Sequence, residues 1–196
     1  MKKTRLEYPQ LLNKRKILLL GKNSTLGKKL YREIDKNKFL ILQTSRKELN
    51  FQNSNCKKKL NKILNKNKPD IIINMIGKFE LNETSNFDVV KINVLPTWLL
   101  IDFYLKKRNK KKIKIIIIGS SSYSSPRKRY MLYASSKSAL NSLVRSAKEN
   151  FHNTQIDIKI FNPRTFGGKH LSNFKKVINE DINKVAKSIY RYISLK

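Results

Sequence analysis

Five short apolar runs, each followed by a stretch of helical character, constrain this chain more than any other feature. They fall at residues 16–20, 39–43, 70–74, 113–118 and 156–161. A strand with one solvated face alternates apolar and polar residues, whereas a strand covered on both faces reads as a nearly continuous apolar run. Ile113-Lys-Ile-Ile-Ile-Ile118 is the most β-branched of the five and is the expected central strand. Helical patterns fill the intervals at 26–35, 55–67, 86–108, 130–151 and 179–193. In the second of these Leu60, Ile63 and Leu64 face inward and Pro69 stops the helix, and in the third Pro96 is an expected kink. Alternation of this kind predicts an α/β fold, a doubly wound parallel sheet in three layers, α/β/α. No repeat or linker divides the chain, so residues 1–196 are expected to form a single domain behind a polar leader at 1–14.

The charge is extreme: 44 Lys and Arg against 13 Asp and Glu give a formal net charge of +31. Such a surface attracts polyanions by counterion release. Yet the excess is mostly lysine and accompanies abundant Ile and Asn, residues that share A/T-rich codons. The basic runs at 57–59, 106–112 and 127–129 are scattered between elements, and no aromatic strip lies beside them. Nucleic-acid binding is therefore expected to be at most non-specific. Cys56 is the single cysteine, which excludes a disulfide scaffold. The apolar run at 17–20 is too short for a signal peptide or a membrane span, and the one at 94–105 is interrupted by Pro96 and Asp102. A cytoplasmic protein without membrane contact is the expectation.

Several chemistry-bearing residues lie where the predicted strands end. The first strand runs into Gly21-Lys-Asn-Ser-Thr-Leu-Gly27 and then a helix. Glycines at such a turn let the backbone approach a pyrophosphate, which the helix N-terminus stabilises. The second strand ends at Thr44-Ser45-Arg46, with no carboxylate before Glu48. An acidic residue there would hold the ribose hydroxyls of NAD, whereas Arg accommodates the 2′-phosphate of NADP. Arg46, with Lys22 in the glycine loop, favours NADP, leaving NAD as the alternative. Tyr133 and Lys137 are four residues apart in Tyr-Ala-Ser-Ser-Lys, one turn apart on one helical face. A neighbouring ammonium favours the phenolate, so Lys137 is expected to lower the Tyr133 pKa and make the phenol a proton donor and acceptor. The same spacing recurs at Tyr192 and Lys196, but only the first pair follows a glycine loop, an Asn and a serine cluster.

In this order the motifs resemble those of the short-chain dehydrogenase/reductase family, with its NAD(P)-binding Rossmann-like fold. The glycine loop is similar to Gly-x-x-x-Gly-x-Gly with Thr25 for the middle glycine. Asn74-Met-Ile-Gly77 is similar to Asn-Asn-Ala-Gly. Asn93 matches the helix Asn that holds a proton-relay water, and Ser120 stands thirteen residues before Tyr133, with Ser121 and Ser122 as near substitutes. Asn162-Pro163-Arg-Thr165 resembles the Asn-Pro-Gly stretch bordering the nicotinamide, with Arg164 for glycine. The resemblance implies Asn93, Ser120, Tyr133 and Lys137 as catalytic residues and no metal. It implies cofactor contacts from Gly21, Lys22, Ser24, Thr25, Leu26, Gly27, Arg46, Asn74, Gly77, Tyr133, Lys137, Pro163 and Thr165. Ser120 and Tyr133 would bind a carbonyl oxygen, Tyr133 would exchange its proton, and Lys137 would hold the nicotinamide ribose.

The stretch beyond Pro163 is short for that family, so residues 164–196 are read as a reduced lid region and a final helix. The expected function is hydride transfer between NADP(H) and a carbonyl or hydroxyl of a small molecule, including sugar derivatives. A sugar epimerase or dehydratase using transient oxidation is the enzymatic alternative, and a non-catalytic cofactor- or polyanion-binding protein is the alternative from another class. The presence together of Asn93, Ser120, Tyr133 and Lys137 favours an enzyme. The two long helices offer a surface for homo-oligomerisation.

Overall fold

A computed structural model describes residues 14–80, 87–107, 111–125, 128–164 and 181–195. The predicted strands are all present: β1 (Arg15–Leu20), β2 (Phe39–Gln43), β3 (Ile71–Asn74), β4 (Ile113–Ile118) and β5 (Ile156–Phe161). They form one parallel sheet in the order β2-β1-β3-β4-β5. The helices are α1 (Thr25–Glu33), α2 (Cys56–Asn67), α3 (Asp88–Lys106), α4 (Met131–Asn150) and α5 (Ile182–Ser194). Pro96 lies inside α3, which continues through it.

Each central strand divides its side chains between two cores. Leu18, Leu20, Ile72, Ile115 and Ile117 pack with Leu60, Leu100, Leu140 and Val144 from α2, α3 and α4. Their neighbours Ile17, Leu19, Ile71, Ile73, Ile116 and Ile118 pack with Leu26 and Leu30 of α1 and with Val185, Ala186 and Ile189 of α5. Successive residues of a strand face opposite sides, so burial of both sides requires the uninterrupted apolar runs of the sequence.

Lys114 is a charged side chain inside β4, and it is only 4% exposed. It sits near the start of β4, where its Nζ donates to the carbonyls of Leu195 (2.7 Å) and Tyr192 (3.3 Å) at the end of α5. Arg15 at the start of β1 donates to the carbonyl of Ile193 at 3.2 Å. The last carbonyls of a helix have no partner within it and carry its negative dipole end, so two cations fix the end of α5 to the sheet. Burial, and the nearby Arg15 and Lys112, hold the Lys114 pKa below the usual lysine range, against the opposing pull of Asp157.

Because β2 and β3 lie on opposite sides of β1, the chain reverses direction across the sheet there. A crevice opens at the carboxyl ends of the strands at such a point, and ligands bind in it.

Candidate active site

A cavity of about 310 Å³ occupies that crevice. Gly21, Lys22 and Ser24 line it from the turn after β1, Arg46 from the turn after β2, and Gly77 from the segment after β3. Gly21 has φ +84°, and a Cβ on it would lie 2.9 Å from the carbonyl carbon of Met75. The positive φ and the close approach of β3 both require glycine. A side chain on Gly27 would run into the carbonyls of Gly21 and Lys22. Ser24 caps α1, its side chain accepting from the Gly27 N–H at 3.0 Å, and no acidic residue occupies the first turn. The loop thus presents a helix N-terminus at a cavity wall without a resident carboxylate.

The predicted contacts are sorted by this geometry. Thr25, Leu26 and Gly27 do not line the cavity: Leu26 is a core side chain under the loop, and Gly27 lets the loop close. Lys22 lines it, but its ammonium lies 4.2 Å from the centroid of the Tyr31 ring. Asn74 works from beneath, donating to Thr97 Oγ1 (3.0 Å) and accepting from the Ile76 N–H (3.1 Å). The Pro163 carbonyl accepts from the Ser121 N–H at 2.9 Å. Thr165 lies outside the described residues. Glu48, the first carboxylate after β2, accepts from the Ser45 N–H at 2.7 Å, and the Glu48 N–H donates back to Ser45 Oγ at 3.2 Å. The Ser45 N–H holds the Glu48 pKa below the usual carboxylate range. Glu48 is thereby spent on its own turn, and Arg46 remains the charged side chain of that turn on the cavity wall.

Gly77 lines the cavity and borders two of the four catalytic candidates. A Cβ there would lie 3.2 Å from Asn93 Oδ1 and 3.4 Å from Lys137 Nζ, so glycine leaves the space those groups occupy. Lys137 is buried, its Nζ donating to the Ile118 carbonyl at 3.4 Å and standing 5.7 Å from the Tyr133 ring centroid. Burial pushes its pKa down to about 8. Ser120 caps the 3₁₀ turn Ser121–Ser124 after β4, and its N–H donates to Asn162 Oδ1 at 3.2 Å. The Ser120 hydroxyl stands close enough to the Tyr133 phenol to favour its ionised form.

The expected depression of the Tyr133 pKa is not what the structure gives. Burial raises it; the Ser120 hydroxyl offsets part of that rise, and Tyr130 adds to it. Spacing in the sequence conveys the approach of Lys137 but not the loss of water around the phenol. Phe79 packs edge-on against Tyr133, with centroids 4.9 Å apart, and Tyr130 lies against both rings. At neutral pH the phenol is consequently protonated and disposed to donate.

Asn93 is 1% exposed, and its side chain is engaged by protein groups. It accepts from the Lys78 N–H (2.8 Å) and donates to the Lys78 carbonyl (3.0 Å) and Ser136 Oγ (2.8 Å). Ser136 Oγ in turn donates to the Tyr133 carbonyl at 2.7 Å. Sequence reasoning missed Ser136, Thr97 and Asn141, whose Oδ1 accepts from Asn162 Nδ2 at 2.9 Å. It missed Gln52 on the cavity wall as well. The second Tyr-x-x-x-Lys match is structural at its tyrosine: Tyr192 donates to Asp157 Oδ2 at 2.7 Å, and burial raises its pKa. Lys196 lies outside the described residues.

The model of the short chain dehydrogenase family matches residues 13–176, and the chain belongs to that family. Among solved structures it is similar to a short chain dehydrogenase from Burkholderia cenocepacia J2315 in complex with NADP. The TM-score is 0.79 at 11% identity, over 94% of this chain and 86% of that one. It is also similar to ElxO with NADP bound, with a TM-score of 0.74 at 22% identity over 91% of this chain and 90% of that one. A third, 4-hydroxyisoleucine dehydrogenase complexed with NADH, gives a TM-score of 0.73 at 22% identity over 92% and 90%. Comparison with curated proteins finds no match. The chain is therefore an NAD(P)-dependent oxidoreductase of short-chain dehydrogenase type. Among the described residues no helix is long and apolar enough to cross a membrane.

Proposed function

We propose that this protein reduces a carbonyl group of a small molecule using NADPH, with Tyr133 as the proton donor. The observation that carries this reading is the buried, protonated phenol of Tyr133 with buried Lys137 beside it, next to a cavity walled by Arg46. When bound, the cofactor supplies hydride. The glycine cradle, the α1 N-terminus with no acidic residue in its first turn, and Arg46 suit its phosphates. Ser120 and Tyr133 direct two hydroxyls at one substrate oxygen, and Tyr133 delivers the proton as negative charge develops there. Lys137 keeps donors free for ribose hydroxyls. Asn93 and Ser136 hold Tyr133 and the 77–79 segment in place. In the oxidative direction the same phenol, once ionised, removes the alcohol proton.

Two further aspects belong to this reading. Trp98 and Leu105, both 48% exposed on α3, supply apolar surface for a second copy. The dispersed lysines bind polyanions without selecting sequence.

The test is NADPH oxidation by the purified protein across a panel of small carbonyl compounds that includes sugar derivatives, run beside Tyr133→Phe. Loss of the hydroxyl should lower turnover by about 10²-fold or more while NADPH affinity stays within a few-fold. A Tyr133→Phe rate equal to wild type removes the proton-transfer role. Failure of every carbonyl, with NADPH bound, removes the reductase reading.

A further inference from the structure

We propose that Gln52 is a specificity-determining positioning residue: it aims Arg46 at the cofactor cavity while leaving the guanidinium charge uncompensated. The proposal rests on the NADPH reading above and asks what makes Arg46 effective in it. Arg46 Nη2 donates to Gln52 Oε1 at 2.8 Å, and Gln52 Nε2 donates to Asp88 Oδ2, on the first residue of α3, at 2.9 Å. The Gln52 backbone is fixed as well, its carbonyl accepting from Lys91 Nζ at 3.2 Å. Arg46 and Gln52 both line the cavity.

The chemistry of the three groups dictates an amide in the middle. A guanidinium only donates and an ionised carboxylate only accepts, so the side chain between them must accept on one side and donate on the other. This requirement also fixes which end of the Gln52 amide faces which neighbour. A carboxylate at position 52 would accept from Arg46 but repel Asp88; a cation would do the reverse. A direct Arg46–Asp88 pair would hold the guanidinium too, but by neutralising it. With a neutral amide interposed, Arg46 is oriented by one hydrogen bond and keeps its charge and its other N–H groups for a dianionic phosphate ester. Glu48, the nearest carboxylate in sequence, is held on Ser45. An unphosphorylated ribose would gain little from this arrangement, so its effect falls on one cofactor and not the other.

The experiment measures dissociation constants for NADPH and NADH in the full-length wild type, Gln52→Glu, Gln52→Leu and Arg46→Ala, with melting temperatures as a check on folding. In Gln52→Glu the new carboxylate pairs with Arg46 and faces the phosphate. Its NADPH-over-NADH preference should fall by about tenfold or more, the scale of one charge-assisted hydrogen bond. Gln52→Leu releases Arg46 without adding charge and should lower the preference by a smaller factor. NADH affinity should stay within about twofold in both, because no cation–phosphate contact is lost. If Arg46→Ala loses the preference while both Gln52 variants keep it, Gln52 has no such role and the NADPH reading stands. Parallel weakening of both cofactors would assign Gln52 to the fold alone and overturn the proposal. A wild type without preference would remove the NADPH reading and this proposal with it.

Discussion

Two ionisable side chains at the centre of the site have pKa values moved by burial in opposite senses. Lys137 is held down at about 8 and Tyr133 is raised. Both shifts favour the neutral form, as desolvation requires. The Lys137 shift makes a signed prediction about stability. Below about pH 8 Lys137 is charged in both folded and unfolded chains, and the folded state bears the cost of burying that charge. Between about pH 8 and the unfolded lysine value near 10.4 the unfolded chain binds more protons, so this contribution makes stability rise with pH. The buried tyrosines oppose it only from about pH 10, where unfolded phenols ionise. Denaturant titrations of wild type and Lys137→Met from pH 7.5 to 9.5 isolate the effect. The stability difference between the two proteins should shift in favour of wild type as pH rises, and a pH-independent difference would show that Lys137 is not desolvated as described.

At the scale of elements, α3 and α4 hold the segment after β3 against the Tyr133 phenol. Asn93 of α3 grips both backbone groups of Lys78 and reaches Ser136 of α4, which holds the Tyr133 carbonyl. Asn93→Ala removes the partner of three groups on two residues, the Lys78 N–H and carbonyl and Ser136 Oγ, and frees the segment carrying Phe79. It should cost about 1–3 kcal/mol of stability and lower kcat more than it weakens cofactor binding. Thermal unfolding and steady-state kinetics read both, and an unchanged kcat would confine Asn93 to the fold. The sheet was legible in the sequence because two-sided burial demands continuous apolar runs, and helix ends differed by a few residues. Gly21, Asn74, Gly77 and Ser120 were legible because each stands where a strand must stop and turn. Ser136, Thr97 and Gln52 were not. They act through hydrogen bonds to residues 43, 23 and 36 positions away, which leave no periodic trace. The direction of the Tyr133 shift was hidden for a related reason: Phe79 and Tyr130 exclude water from it only in three dimensions.

For the whole molecule, α5 closes one of the two cores, and the cations of β1 and β4 secure its end. Lys114→Met keeps the apolar stem but leaves the carbonyls of Tyr192 and Leu195 without their donor. Loosening α5 should cost about 1–3 kcal/mol. Hydrogen exchange should quicken first in Ile182–Ser194, ahead of the strands; uniform protection across α5 and the sheet would show that the clamp is dispensable. This clamp also bears on how the chain is made. Arg15 precedes its partner Ile193 by 178 residues, so the contact cannot form until nearly all the described chain has left the ribosome. Until then Ile17, Leu19, Ile71, Ile73, Ile116 and Ile118 lack their α5 covering. Each round of translation therefore passes through a nascent chain with one open apolar face, the stage at which chaperones and aggregation compete for it.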